Sequence, residues 1–117
     1  MTTVHRSMPL LLLAALVAGA VFWASSAMAQ QPTFQLTLKG NRFEPSTLEV
    51  PAGTRIILLI TNEDAAAEEF ESHDLKLEKI IPAGTKATFR VGPLKPGSYK
   101  FMGEFHPDTA QGVLIAK

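Results

Sequence analysis

Two short stretches hold the side chains best suited to bind a metal ion. One is Glu68-Glu69-Phe70-Glu71-Ser72-His73 and the other is Met102-Gly103-Glu104-Phe105-His106-Pro107. Carboxylates and imidazole together suit Cu(II), iron, manganese or zinc. Hard oxygen donors favour the ferric over the ferrous state, so such a set suits the oxidation or passage of iron. The thioether of Met102 would serve Cu(I), as a soft donor does. The chain has no cysteine, which excludes thiolate ligation, cysteine nucleophiles and disulfides. Hydrolase chemistry is not expected either. There is no G-x-S-x-G, and Ser72 and His73 are adjacent, so in an extended chain they point to opposite faces. No phosphate-cradling glycine loop and no basic stripe is present, so nucleic acid is not an expected partner.

These residues need a scaffold, and the punctuation of the chain describes one. His5 and Arg6, the apolar run Leu10 to Val21 and the small-residue sequence Ala27-Met28-Ala29 have the layout of a secretory signal peptide over residues 1–29. Its cleavage would leave one domain, residues 30–117, in the periplasm, with 10 basic and 11 acidic residues. From there Gly and Pro recur every 8–12 residues between alternating segments, the pattern of an all-β sandwich. Phe34 to Lys39 alternates strictly, Thr47 to Val50 is a short strand, and Ile56 to Ile60 is a β-branched apolar run suited to a central strand. Asn62 to Ala67 reads as a loop. Phe70, Leu75 and Leu77 mark an extended segment, Thr85 to Val91 alternates again, and Tyr99-Phe101 and Val113 to Ala116 supply the last two strands. The total is about seven strands. Phe34, Phe43, Phe70, Phe89, Tyr99 and Phe101 are the aromatic core candidates. Alternation puts Phe101 inward and Met102 outward. Glu78-Lys79 reads as a surface ion pair.

The order of these pieces resembles the cupredoxin fold, a Greek-key β-sandwich. The residues that carry the resemblance are Phe43-Glu44-Pro45-Ser46-Thr47-Leu48-Glu49-Val50-Pro51-Ala52-Gly53-Thr54, Thr61-Asn62, and Pro96-Gly97-Ser98-Tyr99-Lys100-Phe101. The blue-copper pattern of two His, one Cys and an axial Met then falls on Glu68, Gly103, His106 and Ala110. Only His106 keeps the family's residue, so the resemblance implies a cupredoxin frame without a type 1 copper site. Because the two acidic segments are neighbours in that fold, it also implies that Glu68, Glu69, Glu71, Glu104 and His106 converge at one end of the sandwich, with Glu68 or Glu69, Glu104 and His106 as the ligand set and Met102 nearby.

Glu68 to Ser72, Glu78-Lys79, and Gly103-Glu104-Phe105-His106-Pro107 with Thr109-Ala110 and Gly112 resemble, more narrowly, the cupredoxin-like components of bacterial periplasmic iron-uptake systems. That resemblance implies a role in oxidising ferrous iron or passing it on. Copper would be a possible cofactor, iron the cargo, and a membrane iron permease or another periplasmic iron-binding protein the partner. Two alternatives stand beside it: a sandwich without metal that serves as an interaction module, and a periplasmic copper carrier using Met102 and His106.

Overall fold

The structure is a computed structural model that describes residues 2–4 and 31–117. The leader expected over residues 1–29 falls outside the described residues apart from 2–4, which belong to no helix or strand. Among the described residues, no helix is long and apolar enough to cross a membrane.

Among the described residues, nine strands form two sheets. They are β1 (Thr33–Lys39), β2 (Arg42–Glu44), β3 (Thr47–Val50), β4 (Ile56–Asn62), β5 (Glu68–Ser72), β6 (Leu77–Ile81), β7 (Lys86–Val91), β8 (Gly97–Gly103) and β9 (Gln111–Ala116). One sheet has the order β2-β1-β4-β7 and the other β3-β9-β8-β5-β6. The β1–β4 and β3–β9 pairs are parallel and the other pairs antiparallel. The two strands beyond the expected seven have separate origins. Arg42–Glu44 pairs back on β1 as a strand of its own, and the segment expected as one extended piece around Phe70 and Leu77 is a hairpin of β5 and β6. Residues 73–76 make that turn, with Lys76 in the left-handed region at φ 57°.

Alternation within the strands builds the core, as a period of two requires. Ile56, Leu58 and Ile60 of β4, Ala87, Phe89 and Val91 of β7, and Leu36 and Leu38 of β1 point inward from one sheet. Phe70, Phe101, Leu114 and Ala116 meet them from the other. Four aromatic rings interlock at the centre. Phe43 lies edge-on to Phe101 at 5.2 Å and to Phe70 at 6.0 Å, and Phe70 is 5.4 Å from Phe89 and 5.5 Å from Phe101. Phe34 and Tyr99, expected in the core, are only partly buried and pack against it. Gly112 lies opposite Phe101 in the β8–β9 ladder, and any Cβ there would overlap the Phe101 ring.

Asn62 takes the last inward position of β4 and is fully buried. Its Nδ2 donates to the carbonyls of Ala66 at 2.9 Å and Ile81 at 3.0 Å, and its Oδ1 accepts the Asp64 N–H at 2.9 Å. A buried amide is stable only when so satisfied. One side chain therefore ties the 63–67 loop and the end of β6 to the central strand. The next strand in sequence, β5, begins directly after that loop and carries the acidic residues.

Candidate functional site

Strand parity divides the acidic run of β5. Glu68, Phe70 and Ser72 point into the sandwich, and Glu69 and Glu71 point out. Glu68 is thus a carboxylate in the protein interior, only 1% exposed. Burying a carboxylate is costly unless it is paired and hydrogen-bonded, and this one is both. Its Oε1 accepts the N–H of Phe105 at 2.8 Å and that of Glu69 at 3.0 Å. Its Oε2 lies 2.5 Å from Nδ1 of His106, whose side chain is 31% exposed. With Glu68 ionised, its oxygens can only accept, so Nδ1 carries the proton and Nε2 is the nitrogen left free.

The segment between Gly103 and Ala110 closes over this carboxylate. Gly103 N–H donates to the Ala110 carbonyl at 2.7 Å, and Ala110 N–H to the His106 carbonyl at 2.8 Å. A Cβ on Gly103 would lie 2.6 Å from Cδ of Glu68, 2.9 Å from its Oε2 and 2.8 Å from Cβ of Ala110. The four positions aligned with the blue-copper ligands are therefore neighbours in space. Their chemistry does not fit a type 1 copper centre. There is no thiolate, the nitrogen of His106 that faces inward is already bonded, and the Glu68 carboxylate fills the space beside Gly103 with its hydrogen bonds satisfied. No buried side-chain polar atom among the described residues lacks a partner.

Glu104 does not join this pair. Its N–H donates to the Glu69 carbonyl at 2.8 Å, and its side chain lies on the outer face. There one carboxylate oxygen from each of Glu69, Glu71 and Glu104 lies within 4.8 Å of the others. Glu78 stands directly opposite Glu71 on β6, and Met102 opposite it on β8. His73 Nε2 is 3.3 Å from Glu71 Oε1. A groove of about 310 Å³ opens beside Glu71, His73 and Met102.

Like charges this close favour protonation. Glu69 is pushed up from 4.5 to about 7, first by a hydrogen bond with Glu78, then by partial burial, then by hydrogen bonding and repulsion from Glu104. Glu71 is also raised, chiefly by hydrogen bonding with Glu104, with His73 opposing the shift. Such a cluster is relieved either by protons or by a cation.

The structure therefore replaces one expected set with two. The set that was to unite Glu68 or Glu69 with Glu104 and His106 is divided by the sheet: Glu68 and His106 lie on the inner side, and Glu69 and Glu104, with Glu71, on the outer. Met102 points outward as expected and is half-buried. The expected Glu78–Lys79 ion pair does not form, because adjacent residues of β6 point to opposite faces. Glu78 instead joins the carboxylates. Glu71 was among the residues expected to converge but was left out of the expected ligand set, and the role of Glu78 was missed. The alternation of Glu69 with Glu71 hinted at an acidic strand face, but only the β5–β6 register puts Glu78 on it.

A two-sheet sandwich closed at one pole by a loop carrying His106 is the architecture of the cupredoxins, here without their thiolate. Residues 12–116 match the family described as "Cupredoxin-like domain", and the chain belongs to that family. It is 48% identical over 81 residues to an uncharacterised protein of Rickettsia prowazekii, an alignment covering 69% of this chain. The chain spans 65% of the length of that relative. Among solved structures, it resembles a purple cupredoxin from Nitrosopumilus maritimus with a TM-score of 0.56 at 22% identity, over 71% of this chain and 98% of that one. An auracyanin from Roseiflexus castenholzii gives 0.61 at 15%, over 74% and 98%. The metal-binding domain of a Cu(I)-exporting P-type ATPase of Streptococcus pneumoniae gives 0.61 at 11%, over 73% and 84%. At these identities the structural likeness establishes the fold.

Proposed function

We propose that this protein is an exported metal-handling cupredoxin that takes up an oxygen-preferring transition-metal ion on the outer face of its five-stranded sheet. The observation that carries this reading is the convergence of Glu69, Glu71 and Glu104 within 4.8 Å. Three carboxylates present hard, anionic oxygens to one point, and Glu78 adds a fourth beside them. Such donors suit iron and manganese better than Cu(I). Iron is the cargo we favour, because the acidic segments resemble those of periplasmic iron-uptake cupredoxins. In this reading the leader is removed on export, and the protein holds iron in the periplasm for a membrane permease or another iron-binding protein. Met102 and His73 flank the carboxylates and would add a soft and a nitrogen donor at their edge. Glu68 and His106 are not ligands here.

Titration calorimetry with Mn(II), and with Fe(II) under anaerobic conditions, tests the reading. One bound ion is expected. Glu71→Gln or Glu104→Gln should each weaken binding on the order of tenfold to a hundredfold. Binding should also strengthen as pH rises through about 7, where Glu69 gives up its proton. No binding in the micromolar range at pH 8, or binding lost in His106→Ala but kept in Glu71→Gln, would overturn it. The satisfied Glu68–His106 pole favours one rival, an interaction module that uses no metal. In that case Mn(II) would leave the thermal midpoint unchanged, since only a ligand of the native state raises it.

A further inference from the structure

We infer that Glu68 is the positioning residue of the outer carboxylate cluster, an internal group that holds Glu104 against Glu69. The inference rests on the reading of that cluster as the ion-binding face. It starts from how the chain reaches Glu104. Glu104 belongs to a surface turn rather than to a strand, so the β8 ladder alone does not set its place. Two hydrogen bonds set it on either side. Its own N–H donates to the Glu69 carbonyl, and the N–H of the next residue, Phe105, donates to Oε1 of Glu68.

The same Oε1 accepts the Glu69 N–H, so a single oxygen bridges the backbone of one proposed ligand and the residue after another. Oε2 holds His106, the residue after Phe105 in the turn. The missing side chain of Gly103 admits the carboxylate to this position. Phe105 is 48% exposed, so its side chain does not anchor the turn in the core. The carboxylate under the turn performs that anchoring.

A ligand set gains affinity when its members are held in place before the ion arrives. Loss of the Oε1 bridge frees the turn and lets Glu104 leave the cluster. The loss should weaken ion binding even though Glu68 itself touches no ion. Glu68→Gln keeps an oxygen for both N–H groups and offers an amide N–H to a neutral His106, so it should preserve the arrangement.

The test measures Mn(II) affinity at pH 8 by calorimetry, together with hydrogen exchange at the Phe105 and Glu69 amides, in the full chain. In Glu68→Ala, Mn(II) binding should weaken at least tenfold and Phe105 amide protection should be lost, while Glu68→Gln stays within about threefold of wild type. Glu68→Asp keeps the charge but shortens the reach, and it serves if the alanine variant does not fold. It too should lose Phe105 protection and weaken binding. Wild-type Mn(II) affinity in a folded Glu68→Ala or Glu68→Asp would overturn the inference while leaving the outer site standing. Absence of Mn(II) binding in the wild type would sink the site itself, and this inference with it.

Discussion

Replacing Gly103 by alanine isolates the feature that most separates this sandwich from a blue-copper protein. The added methyl would sit 2.6 Å from Cδ of Glu68, 2.9 Å from its Oε2 and 2.8 Å from Cβ of Ala110, all in a closed interior. Carbon atoms in good contact are about 3.5–4.0 Å apart, so either the carboxylate or the turn must move. Overpacking of this kind costs about 1–3 kcal/mol. For a domain of this size that lowers the thermal midpoint by about 5–20 °C.

The expected cause is specific, and a double-mutant cycle exposes it. In a Glu68→Ala background two of the three close atoms are gone, so adding Gly103→Ala should cost at least about 1 kcal/mol less than it does in wild type. Urea denaturation of the four proteins gives the coupling directly. A neutral Gly103→Ala, or a cycle that closes to zero, would refute the claim that the Glu68 carboxylate fills this space. The same geometry bears on any attempt to restore a copper site. Gly103→Cys meets the identical obstruction at its Cβ, so it should show no intense thiolate-to-Cu(II) absorption until Glu68 is also replaced.

Two further outcomes follow from named contacts. The Glu69 carboxyl is raised from 4.5 to about 7, so the folded chain holds a proton there that the unfolded chain releases. Stability is therefore lost as pH climbs between those values, and the deficit is complete above about 7. Glu69→Gln should be more stable than wild type at pH 8 and equal to it at pH 4, as read from thermal midpoints without added metal. Asn62→Ala should destabilise by about 2–4 kcal/mol in urea unfolding, because it strands the Asp64 N–H and the Ala66 and Ile81 carbonyls around a buried position.

Much of this protein was legible in one dimension. The alternation of Phe34 to Lys39, the run Ile56 to Ile60 and the Pro-Gly turns mark strands, because a pleated chain exposes its period of two directly in the sequence. The absence of cysteine settles that no thiolate holds a metal. The order of turns and strands was enough to align Glu68, Gly103, His106 and Ala110 with the family's ligand positions, and the fold does bring those four together. Parity also placed Met102 outward correctly.

What the sequence left open was which acidic groups meet. Glu68 and Glu69 are chemically identical neighbours, and only the direction in which β5 enters the sheet sends one to an interior bond with His106 and the other to an outer cluster. Glu78 joins that cluster through a register set by a turn at residues 73–76, and Glu104 through a loop closed by hydrogen bonds to a strand 35 positions earlier in the chain. Local preference decides which face a residue can occupy. Contacts between distant segments decide what it finds there, and that is why the pairing of charges was written only in the tertiary structure.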